Sequence, residues 1–163
     1  MGGTLTLYLG ETHPEVKGLV PICAPVYLEG WRVRLLLPLI KHFTNYYSAE
    51  PSDVLDKSAL DNPITREHRR RYDKIALPCL VELLALIRET EKRLSSIRQP
   101  ILIAQARKDQ VVPPGNADYI FRSVSSIAKR VLWLENSGHV ATIDFDKRIL
   151  FKEAAEFFKS LSS

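Results

Sequence analysis

Apolar residues along this chain fall into short continuous runs and longer spaced stripes, and the two patterns predict different elements. Residues 17–25, KGLVPICAP, form a continuous run closed by Pro25. Such a run predicts a strand buried on both faces, as in a parallel sheet. Residues 100–106, PILIAQA, read the same way, with Pro100 permitted at a strand start. Residues 130–135, RVLWLE, are a third candidate strand. Between the last two, Ala117, Ile120, Phe121 and Val124 are spaced for one helical face. After the third, Leu150, Ala154, Phe157, Phe158 and Leu161 make a second helical stripe, with Asp144 or Asp146 placed to cap it. Residues 97–163 therefore alternate strand, loop and helix twice. That order implies right-handed crossovers and an α/β fold with a parallel sheet of about three strands covered by helices.

The middle of the chain reads differently. Residues 29–96 carry no convincing strand pattern. Val33, Leu36, Leu37, Ile40 and Phe43 fit a helix face, and residues 48–63, with Pro51, Asp53, Asp56, Asp61 and Pro63, read as loop with short turns. Residues 66–94 read as one long helix or two, and Pro78 should kink it or begin the second. A helical block between two parallel strands looks like a cap over a sheet edge; ordinary crossover helices are the plainer alternative. The first ten residues conflict with themselves. Thr4–Leu9 alternates polar and apolar as a strand does, while Leu5, Tyr8 and Leu9 also fit one helical face.

Composition narrows the class. The 163 residues are 45% hydrophobic and 26% charged, values of a single globular domain. The 23 Lys and Arg against 19 Asp and Glu leave a formal charge of +4, only mildly basic. Cys23 and Cys79 make neither a disulfide framework nor a metal-type spacing, and a reducing cytoplasm is the default setting. The apolar runs Gly18–Leu28 and Val33–Ile40 are broken by prolines and Arg34 and are too short to span a membrane. The start, Met1-Gly2-Gly3-Thr4, has no basic region typical of a signal peptide.

Ligands of open parallel sheets bind at the carboxyl ends of the strands. That rule selects the loop Ala106–Pro113 after the second strand and the loop Asn136–Val140 after the third, and each holds one group suited to a proton relay, Asp109 and His139. A carboxylate that takes the Nδ1 proton of an imidazole fixes its tautomer and stabilises the imidazolium formed in catalysis. Taken alone, Asp109 reads as a turn or cap residue and His139 as a surface histidine. At the ends of consecutive strands, 30 residues apart, they favour the relay. His13 precedes Pro14 in a turn, His42 lies in the helical block and His68 in a basic helix start, so each reads as structural or solvated.

The strings ICAPVYLEG, QARKDQVVPPGNADYI and WLENSGHVATIDFDK carry a specific resemblance. The chain resembles, over nearly all its length, the carboxylesterases of the α/β-hydrolase fold, and most closely the small bacterial enzymes related to monoacylglycerol lipase. The resemblance implies a C-terminal portion of that fold, with core residues 1–28 and 97–163 and a substrate lid at 29–96. It makes Asp109 and His139 the acid and base of a Ser-His-Asp triad acting on carboxylic esters, without a cofactor. The family's nucleophile stands in G-x-S-x-G, ahead of the acid and base. Here Met1-Gly2-Gly3 resembles the tail of G-L-S-M-G-G, so Thr4–Glu11 would be the helix after that turn and the Met1 backbone N–H an oxyanion donor. The serine itself is not in the chain. Ser137 stands too close to His139 in sequence to aim at its imidazole, and Cys23 and Cys79 lie in a predicted strand and helix, so none is expected to replace it. The chain alone is then expected to be inactive, with an exposed sheet edge hidden in a homodimer or larger oligomer.

Two non-enzymatic readings stand beside this one. A hydrolase-like binding protein would keep an apolar groove for an ester or acyl ligand without turnover. The cluster Arg66, His68, Arg69, Arg70, Arg71 and Lys74 could contact an anionic surface, but Glu67 and Asp73 among these residues favour a solvated helix face. No nucleic-acid partner and no stable membrane insertion are expected.

Overall fold

The computed structural model describes residues 1–27, 46–48 and 74–162. In chain order the elements are α1 (Gly2–Thr12), β1 (Tyr46–Ser48), β2 (Lys74–Ala76), α2 (Leu77–Arg93), β3 (Ile101–Ala106), α3 (Gly115–Ser123), β4 (Lys129–Leu134) and α4 (Lys147–Ser160). A 3₁₀ turn, Leu94–Ser96, follows α2. No described helix is long and apolar enough to cross a membrane.

β3 and β4 pair in parallel, from Ile101 opposite Lys129 to Ala106 opposite Leu134. Every residue of β3 is buried, as its unbroken apolar run predicts. Ile101 and Ile103 join one core with Leu7 of α1, Leu94, Ile97, and Ala117 and Ile120 of α3. Ala104 and Ala106 join a second core with Leu134 and Leu150 of α4. Alternate β3 side chains thus feed opposite faces, and helices cover both.

The predicted strand at 17–25 runs parallel beside β3, but only as two isolated bridges, Leu19 with Ile101 and Ile22 with Ala104. Pro21 explains the gap. Leu19 N–H donates to Pro100 O and Cys23 N–H to Ala104 O, both at 2.9 Å, and Pro21 occupies the intervening donor position with no N–H to give. Pro21 O still accepts from Ala104 N–H, at 3.0 Å.

Residues 29–96 do contain strands, which corrects the sequence reading. β1 and β2 form an antiparallel ribbon with Tyr46 opposite Ala76. Pro78 starts a helix rather than kinking one: it lies in the first turn of α2, where its missing N–H costs nothing. Within the expected helical stretch 66–94, the described residues hold β2 and then a helix from Leu77, and residues 66–73 lie outside the described residues. The helix face at 33–43, most of the turn-rich stretch at 48–63, His42, His68 and the arginines of the basic cluster lie outside the described residues.

The opening residues are a helix, as the resemblance implies. Its buried face, however, is Thr4, Leu7 and Gly10, while Leu5 and Leu9 are 41% and 47% exposed. Thr4 joins the interior because its hydroxyl donates to Pro25 O at 3.0 Å, which satisfies a buried polar group. A methyl group on Gly3 would stand 2.7 Å from Ile22 O and from Ala24 Cβ, so only glycine lets α1 approach the end of the 17–23 segment.

Candidate active site

Because Ala106 and Leu134 are register partners, β3 and β4 end level, and their loops leave the same edge of the sheet side by side. Backbone bonds tie the loops together: Arg107 N–H donates to Leu134 O at 2.9 Å and Lys108 N–H to Ser137 O at 3.3 Å.

Asp109 is 5% exposed. Its Oδ1 accepts from the N–H groups of Val111 and Val112, at 2.9 and 2.8 Å, the local turn that Asp side chains favour. Its Oδ2 lies 2.9 Å from His139 Nδ1 and accepts from Gln105 Nε2 at 3.3 Å. Burial pushes the Asp109 carboxyl up, but the bonds from His139, Val112 and Val111 and the charge of the imidazole outweigh it, and the net shift is downward. Asp109 is therefore an ionised acceptor. The proton between the two groups belongs on His139 Nδ1, which leaves Nε2 as the basic nitrogen. His139 remains partly open, with its side chain 28% exposed.

The histidine loop is held by two aspartates. Asp146 Oδ2 accepts from Asn136 N–H at 2.7 Å and from Ser137 Oγ at 3.0 Å, and its own N–H donates back to that hydroxyl at 2.9 Å. Asp144 Oδ2 accepts from Gly138 N–H at 2.8 Å. Asp146 is the N-cap of α4 by position, as expected, but its side chain makes no cap bond and braces the loop instead, as Asp144 does through Gly138 N–H. Burial raises the Asp146 carboxyl, bonds from Asn136 and Ser137 lower it, and the bonds prevail. Ser137 is fully buried in this network, so its hydroxyl is directed to Asp146.

A third wall comes from the chain start. Met1, Gly2 and Gly3 line a pocket of about 370 Å³ with Ile22, Cys23, His139 and Val140. Cys23 is buried, and its φ of 44° lies in the left-handed region that side chains disfavour. One donor atom each from Cys23, Asp109 and His139 lies within 4.8 Å of the others. Cys79, by contrast, is exposed on α2. Sequence reasoning placed Asp109 and His139 together and missed Gln105, Asp144, Asp146 and Cys23 as their surroundings. The rule that selected the two loops could have found Cys23 too, because it ends the third parallel segment.

A sequence model described as serine aminopeptidase, S33 (Hydrolase_4), matches residues 1–146. The chain is 40% identical over 162 residues to a thermostable monoacylglycerol lipase of Bacillus sp. (strain H-257), covering 97% of this chain and 59% of that protein. It is 27% identical to a carboxylesterase of Bacillus subtilis (strain 168), covering 99% and 61%. Among solved structures, one reported for the metagenome-derived lipolytic enzymes LipS and LipT superposes with a TM-score of 0.77 at 30% identity, covering 98% of this chain and 62% of that one. A monoacylglycerol lipase of Paleococcus ferrophilus also reaches 0.77, at 18% identity, covering 98% and 65%, which shows the shared fold. The chain thus spans about three fifths of the curated relatives' length.

Proposed function

Because the chain belongs to the serine aminopeptidase S33 family of hydrolases, we propose that it carries the acid and base of a carboxylic ester hydrolase, Asp109 and His139. The carrying observation is the 2.9 Å approach of His139 Nδ1 to a buried, backbone-anchored carboxylate at the ends of adjoining strands. A serine hydroxyl within reach of Nε2 loses its proton to His139 as it attacks the ester carbonyl. The imidazolium, held by Asp109, returns that proton to the leaving alcohol, and water then cleaves the acyl-enzyme by the same exchange. That serine is proposed to stand immediately ahead of Met1, because Met1-Gly2-Gly3 resembles the tail of the family's Gly-x-Ser-x-Gly turn. The presence of Met1, Gly2 and Gly3 in the pocket of His139 supports this placement. The Met1 backbone N–H, at the start of α1, is the proposed oxyanion donor.

The test compares two polypeptides against a short-chain p-nitrophenyl ester. Residues 1–163 alone are expected to be inert, and a product extended upstream through an in-frame Gly-x-Ser is expected to be active. Full turnover after His139→Ala in the extended product would overturn the reading.

An apolar groove of about 380 Å³, lined by residues that include Leu9, Val16, Val20, Ile22, Ala154 and Phe158, favours a second reading. In it the chain binds an acyl ligand or a second copy of itself along the edge of the 17–23 segment that faces away from β3. A fluorescent fatty acid and light scattering separate these: saturable binding supports the ligand, a dimer supports the second copy, and a monomer without binding removes both.

A further inference from the structure

We propose that Cys23, His139 and Asp109 form a binding site for a zinc-class divalent ion, which shuts off the proton relay when it binds. The three side chains offer a thiol sulfur, an imidazole nitrogen and a carboxylate oxygen, all within 4.8 Å of one another. A tetrahedral zinc ion with bonds of about 2.0–2.3 Å holds its donors roughly 3.5 Å apart. Closing the cluster onto an ion requires the side chains to rotate inward from that spread. Three protein donors with the fourth position open is the donor count of accessible zinc sites, and two of these donors, Cys23 and His139, line the pocket of Met1, Gly2 and Gly3. The partly exposed His139 provides the way in.

The donor types select the metal. Thiolate and imidazole favour zinc and its softer neighbours over magnesium and calcium, which require oxygen. The supporting shell is already built: Val111 and Val112 N–H hold Asp109 Oδ1, and Gln105 Nε2 holds Oδ2. Such outer contacts orient metal ligands and raise affinity. The backbone at Cys23 adds an independent observation. A non-glycine residue at φ 44° is strained, and strain of this kind concentrates where a side chain is held for a task. Pro21 breaks the ladder two residues earlier, and at Cys23 the chain turns its buried side chain into the core beside Ala104 and Ala106.

Binding needs the thiolate and an unprotonated imidazole nitrogen, so affinity rises with pH. The relay uses the same imidazole and carboxylate. As regulation of catalysis the proposal rests on the hydrolase reading above; as a metal site it stands alone.

The test titrates the protein with Cd²⁺ under a non-thiol reductant and follows the sulfur-to-cadmium charge-transfer absorption, with stoichiometry from calorimetry. One ion per chain is expected in the wild type and in Cys79→Ser. The band should vanish in Cys23→Ser, and affinity should fall at least about tenfold in His139→Ala. No band in the wild type, or an unchanged band in either Cys23→Ser or His139→Ala, overturns the site. His139→Ala leaves the strained backbone untouched, so the result stands even if Cys23→Ser does not fold. Metal binding without ester hydrolysis in the extended product would sink the relay and leave the site standing; hydrolysis without metal binding would do the reverse.

Discussion

The loop beyond β4 lines one pocket with Val20, Ile22 and Cys23, and the loop beyond β3 stands behind it through the Asp109–His139 contact, yet the loops and the segment from Val16 to Ala24 are built by different physics. The loops are positioned by hydrogen bonds to charged groups: Asp109 by two backbone N–H groups, the His139 loop by Asp144 and Asp146. Such bonds contribute about 1.5–3 kcal/mol each and fix direction. The segment is positioned by contact. Gly3 and Ile22 touch where no methyl fits, Pro21 forfeits a ladder bond, and Cys23 holds a strained φ. Polar bracing sets where a proton goes, whereas close packing sets what can stand beside it. A site divided this way responds to charge on one wall and to volume on the other.

The sharpest way to break this contrast acts on the charged wall. In the proposed upstream-extended product, Asp109→Asn is expected to lower turnover by about four orders of magnitude, because the amide holds the wrong imidazole tautomer. A tenfold effect would place the carboxylate outside the relay. Asp146→Ala removes the bonds to Asn136 and Ser137 and strands a buried hydroxyl, so we expect a loss of about 3 kcal/mol in urea unfolding. On the packed wall, Gly3→Ala should cost about 2 kcal/mol by overpacking, since its new methyl meets backbone that cannot rotate away. Charge-neutral behaviour at Gly3 and volume-insensitive behaviour at Asp146 would sharpen the contrast; an exchange of these responses would end it.

Smaller effects follow from pH. The Asp109 carboxyl is held below its ordinary value, so its contribution to stability is fully present above about pH 4 and is lost as pH falls through the lowered value. Acid unfolding of Asp109→Asn should show less of this dependence. Glu11 behaves in the opposite sense. Burial raises its carboxyl to about 7, against the pull of Arg93 and with the help of Glu89, and both its oxygens lack a hydrogen-bond partner among the described residues. Its folded form prefers the proton, so this contribution is complete below about pH 4.5 and is lost as pH rises through about 7. Glu11→Gln should therefore raise Tm at about pH 8 and change it little at about pH 4. Equal shifts at both would show that the carboxyl is not buried in its neutral form.

Much of this was legible along the chain. The runs at 100–106 and 130–135 became β3 and β4, and the stripe of Ala117 and Ile120 became α3 with Val124 at its end; burial of β3 on both faces and of α3 along one face leaves a direct mark in the chain. Asp109 and His139 were legible because strands ending level must bring their loops together. β1 and β2 escaped notice because three-residue strands are too short to show a period. The face of α1 escaped because a threonine and a glycine were buried and leucines left out.

The sequence by itself determined the order of strands and helices from residue 97 onward and the candidate carboxylate and imidazole, which follow from local pattern and from residue chemistry at a fixed spacing, while three strings carried the family resemblance. The tertiary structure alone decided that Asp144 and Asp146 brace a loop rather than cap a helix, that Pro21 leaves its strand half bonded, and that Cys23 joins the other two donors. Those outcomes depend on which groups distant in the chain compete for one hydrogen bond or one volume, and no periodicity in the sequence records that competition.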